Sequence, residues 1–136
     1  MSRGHVEIVR GVYAEWANGN MRAGVDLFEP DTAFISFMPD SNESIVTHGI
    51  EGIEAFMREF LAQWRDYRLW GTDFRGVGTD KVLVKGRQSA AGRQSGVAVE
   101  DDTHSIWTFR DGKVAELRFE RDWQRALEAA GLRDQM

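Results

Sequence analysis

Residues 99–109 read VEDDTHSIWTF, a stretch whose orientation decides both the fold and the chemistry of the interior. Asp101, Asp102 and His104 crowd together here, as they would in an acid/base site. Strand geometry separates them. Successive side chains of a β-strand point to opposite faces, so Val97, Val99, Asp101, Thr103, Ser105, Trp107 and Phe109 share one face, while Ala98, Glu100, Asp102, His104, Ile106, Thr108 and Arg110 share the other. The first set holds the two large aromatics and two valines, so that face is expected to meet the core. Asp101 then shares no site with His104 unless a bulge intervenes. Asp102 and His104 are expected on the outer face, solvated or in a subunit contact.

The neighbouring stretches have the same form. In KVAELRFERD (113–122), Ala115, Leu117 and Phe119 alternate with Glu116, Arg118 and Glu120, an apolar-in, charged-out pattern. In KVLVKGRQS (81–89), Val82, Val84, Gly86 and Gln88 alternate with Leu83, Lys85, Arg87 and Ser89, which makes Gln88 an inward polar group. Between Leu69 and Phe74 the parity slips, and Gly71 is the natural place for a bulge that bends the sheet. The turn-rich GTDK (78–81) and RDGK (110–113) join these runs as hairpins, so the last four strands form an antiparallel meander.

Upstream, Val9, Val12, Tyr13 and Trp16 stand at three- and four-residue spacing on a helix that stops at Asn18–Gly19–Asn20. Asn20 can cap a short second helix carrying Val25, Leu27 and Phe28, ended by Pro30. TAFISF (32–37) reads as a strand with Phe34, Ser36 and Met38 on one face and Ile35 and Phe37 on the other. A polar loop and a short extended piece follow. GIEGIEAFMREFLAQW (49–64) is the strongest amphipathic helix in the chain. Asp122 can cap a last helix, with Gly131 as its stop. The expected fold is α+β: a curved, mostly antiparallel sheet wrapped around a long helix, with further N-terminal helices and a short C-terminal one.

Composition limits the function. At 136 residues the chain is expected to be one domain, residues 1–136, with an ordinary globular balance of 42% hydrophobic and 29% charged residues. A net charge of −5 argues against nucleic acid. With no cysteine there is no disulfide framework, thiol nucleophile or thiolate metal site. No apolar run reaches the length of a membrane span and no apolar leader opens the chain, so a cytoplasmic location is expected. The repeated GRQS at 86–89 and 92–95 reads as two arms of a hairpin, since neither a lysine nor a following helix supports a phosphate cradle.

VYAEWANGN (12–20), LFEPDTAFIS (27–36), GIEGIEAF (49–56), IWTFRDGKV (106–114) and RALEAAGL (125–132) together resemble the NTF2-like superfamily, and within it the SnoaL-like proteins. The resemblance implies a cone open at one end into a small-molecule pocket, a homodimer, and in some relatives cofactor-free isomerase, cyclase, hydratase or hydrolase activity. The chain departs from those enzymes. The strand position of the isomerases' aspartate base falls on Ser36, the later aspartate of their oxyanion hole on Ser105, and their first-helix tyrosine on Val12, one place from Tyr13. Many SnoaL-like relatives have a histidine where Ser105 stands.

The pocket expected on this frame is bounded by Val12, Trp16, Phe34, Ser36, Met38, Phe56, Phe60, Gln88, Thr103, Ser105, Trp107, Leu117 and Phe119: mostly apolar, with a few polar anchors. Its occupant is expected to be a small apolar molecule. A serine nucleophile needs a base within reach, and no histidine falls on the inner face. Tyr13 can offer a hydroxyl donor, His48 a general base if the mouth lies beside it, and Asp101 a rim carboxylate. The three histidines are scattered, so neither a metal site nor a cofactor is expected. Dimerisation is expected through the outer sheet face near His104. Two functions fit: a cofactor-free enzyme of small hydrophobic substrates, or a non-catalytic ligand-binding or assembly module.

Overall fold

Helix α1 (Ser2–Ala17) opens the computed structural model, which describes residues 2–37 and 43–132. Its stripe of Val9, Val12, Tyr13 and Trp16 is buried as the spacing requires. It ends at Gly19, whose φ of +94° is the left-handed conformation that closes helices. The second helix expected from Asn20 does not form. Only one 3₁₀ turn (Val25–Leu27) follows, entered through Gly24 at φ +92°. Phe28 already belongs to β1 (Phe28–Phe37), its ring 6.3 Å from that of Trp107. Pro30 therefore lies within a strand, where β1 slips register against its neighbour and the missing N–H costs no regular ladder bond.

After β1 come β2 (Ser44–His48), α2 (Ile50–Ala62), β3 (Trp64–Val77), β4 (Lys81–Gly92), β5 (Ala98–Arg110), β6 (Lys113–Glu120) and α3 (Trp123–Ala129). Helix α2 stops two residues short of Trp64, which starts β3 instead. Asp122 caps α3 through its side chain, accepting from the backbone N–H of Arg125 at 2.8 Å. The six strands order as β2-β1-β6-β5-β4-β3, and β3 to β6 form the expected meander. All neighbours are antiparallel except β1 and β6. The α+β architecture read from the sequence is therefore correct, and no helix among the described residues is long and apolar enough to cross a membrane.

Alternation on β5 holds from Thr103 to Phe109, whereas the two valines expected on the core face are exposed, Val97 lying before the strand. Thr103, Ser105, Trp107 and Phe109 are buried on the inner face. The main core forms where α1 and α2 pack on that face, drawing in Val82 and Val84 from β4 and Val114 and Leu117 from β6. Val114 replaces the expected Ala115 at the end of β6. A register shift beside Phe109 places Val114 opposite it, fully buried, and leaves Ala115 half-buried. The outer face is not wholly solvated: α3 covers Leu83 and Ile106 with Ala126, Leu127 and Ala130 in a second small core.

The bend falls where the parity slipped. β3 shifts register between Gly71 and Asp73, and Gly71 stands opposite Gly86 on β4. A Cβ on Gly86 would lie 2.5 Å from the Trp70 carbonyl oxygen and 2.8 Å from Thr103 Oγ1, so the two strands approach as closely there as glycine permits.

His5 ties the start of α1 to the sheet. Its ring stacks on Phe109 at 4.0 Å and 4° between planes, and its Nδ1 is buried without a hydrogen-bond partner among the described residues. Burial lowers its pKa below the ordinary imidazole value. A depressed folded value means that the unfolded chain takes up the proton first. The stability His5 confers is thus complete above about pH 6.5 and is lost as pH falls through the folded value. His5→Phe keeps a stacking ring and removes the titration. In urea melts at pH 7.5 and 5.5, wild type is expected to lose more stability than His5→Phe; equal losses would refute this role.

Candidate functional site

Burial along the inner face falls from one end of the sheet to the other. At one end Val82, Trp107 and Val114 are completely buried. Going along β5, Ser105 and Thr103 remain buried, Asp101 is exposed and Val99 is 37% exposed. β4 passes from buried Val84 to half-buried Gln88 and Ala90, β6 from buried Leu117 to half-buried Phe119, and α2 from buried Ile53 to half-buried Phe56 and Phe60. The cone is therefore closed where Phe109 packs on Val114. At the other end Gln88, Phe60 and Phe119 are only half-buried.

Three polar side chains lie at the floor of this gradient. Tyr13 reaches from α1 to β5, its hydroxyl 2.7 Å from Ser105 Oγ, and Trp107 Nε1 donates to the same phenol oxygen at 3.4 Å. The indole N–H is donor only. Whichever way the Tyr13–Ser105 bond runs, it uses one of two hydroxyl hydrogens and leaves the other without an acceptor among the described residues. Burial pushes the Tyr13 pKa up to about 12, against the smaller opposing pull of its bonds to Ser105 and Trp107. The phenol is a neutral donor across the physiological range.

Nearer the half-buried end, the Tyr67 hydroxyl donates to Gln88 Oε1 at 2.7 Å, and the Phe60 ring packs edge-on against Tyr67 at 5.2 Å. Burial raises the Tyr67 pKa, and the Tyr13 phenol raises it further. Phe34 meets Phe56 at 5.4 Å and Phe119 at 5.9 Å in edge-to-face contacts, making an aromatic wall from three elements. The floor and wall together present hydroxyls, an amide and rings. Apart from His5, stacked on Phe109 at the closed end, no carboxylate or imidazole is buried among the described residues of this face.

The residues expected at the pocket divide into three groups. Val12, Trp16 and Leu117 are buried in the main core, as Phe34 and Trp107 are, and the Trp16 indole donates to the Ala23 carbonyl at 3.1 Å. Phe34, Phe56, Phe60, Phe119, Gln88, Thr103, Ser105 and Trp107 come together on the inner face. Ser36 is half-buried on β1 opposite Ile45, and Met38 lies outside the described residues.

Of the three catalytic candidates, Tyr13, His48 and Asp101, only Tyr13 is brought into this group. His48 is exposed at the end of β2, and Asp101 is exposed beside the half-buried end, paired in register with Gln88. The opening Asp/His constellation separates as strand geometry requires: Asp102 is held by Arg87 at the surface, and His104 lies on the outer face with its ring 6.1 Å from Trp123. Tyr67 was not among the residues expected at the pocket. The signal was its parity with Leu69, two residues ahead of the Gly71 bend.

A shallow groove lined by Asp66, Ser89, Ala90, Ala91, Ala98, Val99 and Glu100 shares no residue with the expected pocket. It follows the outlying end of the β4–β5 hairpin.

The family profile of the SnoaL-like domain matches residues 9–117. No curated protein matches the chain. Among solved structures, a protein described as a candidate SnoaL-like polyketide cyclase from Jannaschia sp. CCS1 is 24% identical, with 94% of this chain and 91% of that chain covered and a TM-score of 0.72. TerC, co-crystallised with polyporic acid, is 22% identical over 93% of this chain and 97% of its own, at a TM-score of 0.72. AclR, a candidate hydroxylase from Streptomyces galilaeus, is 16% identical over 96% and 98%, at a TM-score of 0.70. At these identities the likeness is one of fold.

Proposed function

The chain belongs to the SnoaL-like family, and from the chemistry of its inner face we propose that it holds a neutral, largely apolar small molecule whose carbonyl-type oxygen accepts from the Tyr13–Ser105 hydroxyl pair. The observation that carries this reading is the one hydroxyl hydrogen left over in the Trp107–Tyr13–Ser105 chain. A buried donor without an acceptor costs about 1–3 kcal/mol, and a ligand oxygen removes that cost. Charge is disfavoured, because nothing on the described inner face neutralises it.

A second reading, cofactor-free catalysis of isomerisation, cyclisation or water addition, is supported by the polyketide cyclase description of the Jannaschia relative. The hydroxyl pair would supply electrophilic polarisation of a carbonyl. The imidazole that touches the inner face, that of His5, is stacked on Phe109 at the closed end, four residues along β5 from Ser105, and so offers the hydroxyl pair no base; binding is the reading the geometry favours.

The test uses 4-acetylbiphenyl, a neutral aromatic ketone, titrated against tryptophan fluorescence. Tyr13→Phe is expected to weaken binding about five- to tenfold relative to wild type, while 4-ethylbiphenyl, which lacks the oxygen, is affected less than twofold. Equal affinity of wild type and Tyr13→Phe for the ketone would refute the assignment. Native mass spectrometry of the purified protein adds an independent check: a retained compound is expected to be neutral.

A further inference from the structure

We infer that Gln88, held by Tyr67, is a second polar station that donates its amide hydrogens to the far end of an elongated ligand. This rests on the reading of the Tyr13–Ser105 pair given above and extends it to the shape and chemistry of the ligand.

Gln88 lies four residues along β4 from Val84, the residue opposite Ser105. At about 3.3 Å per residue the two stations are separated by roughly 13 Å along the strand. Between them this face carries Gly86 and, opposite it, Thr103. The Tyr67 hydroxyl donates to Gln88 Oε1 at 2.7 Å. An amide that accepts on its oxygen presents an NH₂ with two hydrogens on its other arm, and among the described residues that NH₂ has no hydrogen-bond acceptor. Tyr67 is itself fixed by the edge-on contact with Phe60. The amide is thus oriented before a ligand arrives, which reduces the entropy lost on binding.

Both stations donate, and neither carries charge. Asp101, opposite Gln88 in register and exposed, adds negative charge at this end, so an anionic group there is repelled. The ligand class that fits is a rod-shaped, neutral, apolar molecule with an acceptor oxygen at each end. Tyr67 acts as a positioning residue through Gln88.

Three rigid probes separate the contributions: 4-ethylbiphenyl with no acceptor, 4-acetylbiphenyl with one, and 4,4′-diacetylbiphenyl with one at each end. Wild type is expected to bind the diketone about five- to tenfold more tightly than the monoketone. Gln88→Met is expected to abolish that preference while leaving monoketone affinity within about twofold. Tyr67→Phe is expected to shrink the preference at unchanged thermal stability of the complex with monoketone. A preference that survives in both Gln88→Met and Gln88→Ala overturns the second station. If Tyr13→Phe still weakens the monoketone in that case, the floor reading stands alone; if it does not, the floor reading fails too. Failure of all three probes to bind overturns both.

Discussion

Trp107→Ala should lower the unfolding free energy by about 3–5 kcal/mol, the range for removing a large aromatic from a packed core. Against a total of about 5–15 kcal/mol for a domain, this is about a fifth of the stability at the least. The size follows from position. Trp107 is completely buried, and its ring lies 5.7 Å from Trp16, 5.9 Å from Tyr13 and 6.3 Å from Phe28. It thus joins α1, the start of β1 and the middle of the sheet. Its indole also donates to the Tyr13 hydroxyl, so truncation removes packing and a hydrogen-bond donor together. Urea melts give the value directly. A loss under about 1.5 kcal/mol would mean that the aromatic cluster is not the core. Trp107→Phe should cost less, because a ring still fills most of the site.

Gly86→Ala should cost about 2–4 kcal/mol, and clearly more than Gly71→Ala across the strand pair. Both glycines leave no room for a methyl group, but the obstacles differ. At Gly86 the new carbon would strike a backbone oxygen, that of Trp70, at 2.5 Å, with Thr103 Oγ1 at 2.8 Å behind it. Neither strand can retreat without opening the ladder between them. At Gly71 the obstacle is the outer edge of the half-buried Phe74 ring, a side chain that can give way by a rotation, at the cost of its contacts with Tyr13 and Arg10, without moving backbone. Parallel urea melts decide the matter. Equal costs at the two positions would show that the bend tolerates a side chain and that the close approach at Gly86 is incidental.

Much of this was legible in the residues, for a physical reason. A strand with one wet and one dry face must alternate, so Thr103, Ser105, Trp107 and Phe109 declare the core side and His104 the other. Gly71 marked the bend because a break in that alternation needs a residue that can adopt the bulge. What was not legible depends on distant partners. Val25, Leu27 and Phe28 have helical spacing, yet Gly24 in the left-handed region and the pull of Phe28 into the Trp107 cluster leave one 3₁₀ turn. Ala115 lost its inward place to Val114 through a register shift set by the β5–β6 pairing. The apolar Leu83 and Ile106, odd residues for an outer face, were the sign that α3 would lie across it.

At the site, the hydroxyl pair shows the same division. That Ser105 points inward follows from parity, but that Tyr13 meets it at 2.7 Å depends on the rotation of α1 against the sheet. A shift of one helical position, toward Val12, would have removed the phenol from the interior.

On the proposed reading the phenols inside the cone are neutral, desolvated hydroxyls. The chain has two tyrosines, Tyr13 and Tyr67, so its tyrosinate absorbance in an alkaline titration reports on those two hydroxyls alone. Expected is almost no ionisation near pH 10, the ordinary phenol range. Tyr13 should ionise only around pH 12, Tyr67 no earlier, and stability should fall as pH rises from about 10 toward that value, because the unfolded phenols give up their protons first. A full tyrosine equivalent ionising near pH 10, while far-ultraviolet circular dichroism still shows the native fold, would contradict it.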